Sequence, residues 1–233
     1  MKHWRKIHKW LGLLIGLQVL MWISGGVVMS VLPIDMVRGK HLLLPESSLL
    51  AGQFSAVTDN INLNSWRELE WKSRLGKAVL KATDFNGETF WLSPSSGSTL
   101  EALTPQQIEQ LSLSRYSQHA SVNNIQLIEH VPFEVRHLTG PLYQVEFNDW
   151  INTTFYLHPI SGEVRSVRSD IWRLYDFFWM LHIMDYDTRD DFNHPLLIVV
   201  AAFSLFFTMS GITLIYFSIV KPFVKRRVYQ LRS

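Results

Sequence analysis

The chain has 233 residues, 47% hydrophobic and 18% charged, with no cysteine and a formal net charge of +2. This composition excludes a disordered chain, a collagen-like repeat and a small disulfide-stapled scaffold. All 20 acidic residues lie between Asp35 and Asp191, where 13 basic residues leave a net charge of −7; with the remaining Lys and Arg split between two short ends, nucleic acid is not the expected partner.

Residues 1–9 carry Lys2, Arg5, Lys6 and Lys9, and from Trp10 to Ile34 there is no charge. At about 1.5 Å per residue this run covers the roughly 30 Å hydrocarbon core of a bilayer, so 10–34 reads as a transmembrane helix. Buried core helices and a signal peptide are the rival readings. Against a signal peptide, the run exceeds an ordinary apolar h-region, and Gly25-Gly26-Val27-Val28-Met29-Ser30 offers no Ala-x-Ala cleavage pattern. A second uncharged run, Phe192 to Val220, places the other span at 195–220, followed by a basic tail, 221–233. Basic residues outside both spans put both termini in the cytoplasm and the middle across the membrane, which in a bacterium is the periplasm. The absence of cysteine fits an oxidising compartment.

Within the middle segment, Thr89-Phe90-Trp91-Leu92-Ser93-Pro94-Ser95-Ser96-Gly97 recurs 65 positions later as Thr154-Phe155-Tyr156-Leu157-His158-Pro159-Ile160-Ser161-Gly162. The same offset sets 76–82 against 141–147 and 68–72 against 133–137, all short strand-like runs bounded by turn residues. Two α+β units are therefore expected, 35–103 and 104–168, each a helix followed by three antiparallel strands. Thr104-Pro105-Gln106-Gln107 is a capping box opening a helix to about Tyr116; Glu46 to about Thr58 is a weaker helix candidate for the first unit. Gly97 and Gly162 suit turns that need positive φ.

Segment 169–194 follows as an interfacial helix and connector. Ser169-Asp170 can cap a helix from Ile171 to about Met184, whose Trp172, Tyr175 and Trp179 suit a membrane interface or a prop against the spans. An ordinary core helix is the other reading. The acidic run 185–191 lacks the pattern of a calcium loop and reads as a solvated turn.

Arg5-x-x-His8-Lys9-Trp10-Leu11-Gly12-Leu13, the aromatic strand with Pro159-x-Ser161-Gly162-Glu163-Val164, and Leu181-His182 together resemble the PepSY-associated transmembrane proteins over almost the whole chain. The resemblance implies PepSY-like αβββ units in a periplasmic domain between membrane spans. Longer members, with four spans, include inner-membrane reductases that release iron from siderophores and hold haem b through intramembrane histidines; the family name came from a proposed peptidase-inhibitory role. His8 matches the family's first-span histidine and His182 the one after the PepSY module, while His194 sits at the mouth of the second span. Each is either a haem ligand or an interfacial polar residue.

The chain departs from that pattern by having two spans, with no histidine between Leu11 and Ile34 or between Pro195 and Val220. A bis-histidine haem at the cytoplasmic edge would need a second copy of His8. His8, Gly12 and Gly16 share one helical stripe, so Gly12-x-x-x-Gly16 either mediates a homodimer or packs against Ser210-Gly211 of the same chain. The expected function is an accessory or short form of a haem-linked electron-transfer system for siderophore iron, working with the lipid bilayer and another inner-membrane or periplasmic protein. The alternative is a membrane-tethered periplasmic binding or regulatory module without redox activity. No glycine-rich dinucleotide fingerprint encodes an electron donor, and no nucleophile-elbow or metalloprotease motif organises a hydrolase.

Overall fold

The computed structural model describes residues 2–46 and 61–224. In chain order the elements are α1 (Lys2–Val31), α2 (Ile34–Val37), β1 (Glu68–Arg74), β2 (Lys77–Thr83), β3 (Thr89–Leu92), α3 (Pro105–Arg115), β4 (Val122–Ile128), β5 (Leu142–Phe147), β6 (Thr154–Leu157), β7 (Val164–Arg168), α4 (Asp170–Ile183) and α5 (Pro195–Ile215). They divide into a helical unit, Met1–Pro33 with Leu174–Ser233, and an α+β unit, Ile34–Arg173. The helix expected near 46–58 and most of the basic tail fall outside the described residues.

In the helical unit, α5 continues through a π turn, Tyr216–Val220, and the apolar helix Pro195–Val224 is long enough to cross a membrane. The first run meets the same standard only when its arms, Arg5–Leu13 and Ile15–Val31, which meet at 57°, count as one span. The described residues therefore contain one or two candidate membrane-spanning helices. The first run ends at Val31 rather than Ile34 because Pro33 has no N–H to continue the ladder and disfavours helix in the residue before it. The Leu174–Ile183 part of α4 lies along α1: Gln18 Nε2 donates to the Leu181 carbonyl at 3.2 Å, and Gly25 packs against Phe178. Below it, the Asp185 carboxylate accepts from the backbone N–H groups of Asp187, Thr188, Asp190 and Asp191 and from the Thr188 hydroxyl, closing the acidic connector into a tight turn. The expected Ser169 side-chain cap is absent; its buried hydroxyl has no partner among the described residues.

The α+β unit contains two antiparallel sheets, β1-β2-β3 and β4-β5-β6-β7. The repeated nine-residue block is the same structure twice. Ser93 N–H donates to the Ser98 carbonyl and Gly97 N–H to the Ser93 carbonyl, as His158 N–H does to Glu163 and Gly162 N–H to His158, with Gly97 and Gly162 at φ +70° and +75°. Upstream, the 65-residue offset fails. Ala82 pairs with Phe90 whereas Val145 pairs with Phe155, so β2 and β5 correspond at an offset of 63, and the second copy has two extra residues in the loop before β6. An even shift leaves every side chain on its original face.

Residues 133–137 are likewise not the counterpart of β1. Phe133–Val135 is a 3-10 turn, and the strand equivalent to β1 is β4, eleven residues earlier than expected at its start. β1 and β2 are joined by a tight hairpin at Leu75-Gly76, but β4 and β5 are joined by the long loop 129–141. The second sheet thus has four strands instead of three, whereas the fourth strand of the first copy is reduced to the bridge Leu92–Thr99.

The long loop has a structural role. All four residues of β6 are buried, so both faces of the sheet must be covered. On one face Phe155 and Leu157 pack with Ile108 of α3, Tyr143, Val145, Phe147 and Val167. On the other, Tyr156 packs with Val135 and Leu142, and its hydroxyl donates to Glu134, 2.7 Å away, which also receives Arg173 at 3.0 Å. The capping box is formed as the sequence predicts: Gln107 N–H donates to Thr104 Oγ1 and Thr104 N–H to Gln107 Oε1.

Gly39 and Gly76 both adopt φ near +70°, but a Cβ on Gly39 would lie 2.5 Å from Cγ1 and 2.9 Å from Cβ of the stiff, buried Val167, whereas one on Gly76 would meet nothing. Left-handed backbone costs a non-glycine residue about 1–2 kcal/mol and overpacking adds about 1–3 kcal/mol. Denaturation monitored by circular dichroism should therefore show Gly39→Ala losing clearly more stability than Gly76→Ala, with the difference giving the steric part.

Candidate functional sites

Two regions carry candidate chemistry, one in each unit. In the helical unit, His8 lies against α5: its ring stacks on Phe207 with centroids 4.4 Å apart, and Nδ1 is 2.7 Å from Ser210 Oγ. Gly211 makes room for the ring, since a Cβ there would approach His8 Cε1 to 3.2 Å; Gly12 does the same for Phe207, with 3.0 Å to its ring, while Gly16 faces open space. At Gly12 the small-residue stripe is therefore filled by the chain's own second apolar helix. The Ser210 hydroxyl donates to the Phe207 carbonyl at 2.7 Å. A hydroxyl has one proton, so while the Ser210 hydroxyl donates to the Phe207 carbonyl it accepts from His8 Nδ1–H, and in the neutral form of the ring the lone pair is then on Nε2.

His182 and His194 are held differently. The His182 ring lies 6.3 Å from that of Trp22, and its Nδ1 and the Trp22 indole N–H are both buried without a hydrogen-bond partner among the described residues. His194 is the N-cap residue of α5 but makes no side-chain capping bond. His8 and His182 do not converge. Their contacts on α1, at residues 8 and 22, are separated by about 21 Å of helix path, whereas two axial ligands must face each other across one iron. Along α5, His194 stands about 24 Å of helix before Ser210, the partner of His8. Neither His182 nor His194 therefore lies beside His8.

The second region lies wholly within the α+β unit, in a cavity of about 690 Å³. Met36, Leu42, Ile151 and Ile171 supply its apolar wall, His41 and His119 stand among its polar residues, and Trp150 is 88% exposed. The longer loop between β5 and β6 carries Trp150 and is fixed by Asp149, whose carboxylate accepts from Thr153 N–H at 2.8 Å, Thr153 Oγ1 at 2.5 Å and Tyr116 Oη at 2.5 Å. Tyr116 is buried and stacks on Phe147 with centroids 4.2 Å apart. Burial, reinforced by the bond to Asp149, pushes the Tyr116 phenol up to about 12.

The histidine candidates were legible because they flank apolar runs. Asp149 and Trp150 were missed, although a tryptophan in a polar turn between two strands, Asn148-Asp149-Trp150, is an available signal. No protein-family model, curated protein or solved structure matches this chain.

Because Tyr116 ionises at higher pH when folded than when unfolded, its contribution to stability is complete below pH 10 and is lost as the pH rises from 10 towards 12. Alkaline unfolding curves of the wild type should fall over that interval, and Tyr116→Phe should flatten this component of the fall.

Proposed function

We propose that the chain is a two-span membrane protein of the PepSY-associated kind, with cytoplasmic termini and an α+β domain on the outer face of a bacterial inner membrane, acting as a binding or regulatory module. The observation that carries this reading is the cavity beside Trp150, formed by residues of that domain alone. Apolar walls with a few fixed polar groups are the usual setting for ligand recognition.

A second reading, haem-linked electron transfer in siderophore-iron acquisition, draws on the orientation of His8. An imidazole that donates from Nδ1 and keeps its lone pair on Nε2 has the form of an axial ligand with its outer hydrogen bond already made. Haem b would supply one-electron chemistry there, and the second ligand would come from another chain, such as a second copy of this one.

A visible absorption spectrum of the full-length protein, solubilised after expression with added haem, separates the two. The binding-module reading expects no b-type haem band. A band present in the wild type and lost in His8→Ala would transfer the protein to the redox reading.

A further inference from the structure

We propose that the cavity beside Trp150 binds an organic cation, a primary amine carried on an aromatic or aliphatic body; this rests on the binding-module reading and names the ligand class of that site. The argument starts from the charge on Asp149. Its three hydrogen-bond donors, Thr153 N–H, Thr153 Oγ1 and Tyr116 Oη, are all neutral, and among the described residues it forms no ion pair. Among the described residues, no lysine or arginine lines the cavity. A carboxylate offers about four acceptor positions, so one remains after these three donors. An ammonium group fits that position in both charge and hydrogen bonding.

The rest of the cavity suits the body of such a ligand. Trp150 presents an exposed indole, the aromatic side chain with the strongest attraction for a cation over its face. Met36, Leu42, Ile151 and Ile171 offer apolar contact, and a cavity of about 690 Å³ accommodates a small molecule. An anion would meet Asp149 unfavourably, and a purely apolar ligand would leave its remaining acceptor position unfilled. Within the α+β unit, Ile34–Arg173, 15 acidic and 12 basic residues leave a net charge of −3, which favours cations over anions near the domain.

The test uses full-length protein in detergent and two probes of similar shape, 2-phenylethylamine and 3-phenylpropionate, titrated by calorimetry or saturation-transfer NMR. The amine should bind saturably and at least about tenfold more tightly than the carboxylate, with Trp150→Ala and Asp149→Asn each weakening it by about tenfold or more. Equal binding of the two probes, no saturable binding of the amine, or an unchanged affinity in Trp150→Ala overturns the proposal. Should Asp149→Asn lose its circular dichroism signal, Trp150→Ala decides alone, because that side chain is exposed and contributes little to the fold. A failure here removes the cation assignment and leaves the module reading to the haem spectrum, which is recorded without any amine.

Discussion

The α+β unit is organised by the burial of β6 on both faces. A strand with one wet face needs a single layer against it; a strand with all four residues buried needs two. Helix α3 and the aromatic group around Phe155 form the first layer, and the loop carrying Glu134 and Val135 forms the second. That second layer brings a polar group into a packed region, and the Glu134 carboxylate is satisfied there by Tyr156 and Arg173. The link from Glu134 to Arg173 ties the loop to the first turn of α4, so the covering of the sheet and the start of that helix depend on one another.

Local signals in the sequence identified the elements whose stability is local. The capping box at Thr104 and the Pro-x-Ser-Gly turns formed as expected because their hydrogen bonds join residues only a few positions apart. The correspondence between the two copies held across the shared block and failed upstream of it. There, no local feature distinguishes a strand from a loop that must cover a sheet: Phe133-Glu134-Val135 has the polar alternation of a half-buried strand, yet its burial is decided by Tyr156, more than twenty residues away. The candidate ligand site was hidden for a related reason. It depends on two residues added to a loop, an insertion visible only when the paired registers of β2–β3 and β5–β6 are compared.

The histidines show the opposite limit. Their positions beside the apolar runs were evident, but the tautomer of His8 depends on Ser210, which is 202 residues away in the chain. The glycine stripe could have served a second copy or the same chain, and Phe207 occupies it at Gly12. Packing within the helical unit therefore restricts which faces of α1 are open to further association, with Gly16 left clear where Gly12 is not.

The two copies of the nine-residue block share a backbone but differ at their first turn residue, Ser93 in one and His158 in the other. His158 Nδ1 accepts the N–H groups of Ile160 and Ser161, at 3.3 and 3.2 Å, an arrangement available only to an unprotonated nitrogen. Burial, with Arg165 nearby, holds its pKa below the usual histidine value, against a smaller opposing influence of Glu163. The duplicated fold has thus become chemically unequal: acidification below about pH 6.5 weakens the second turn through His158, while the hydroxyl at the matching place in the first carries no such sensitivity.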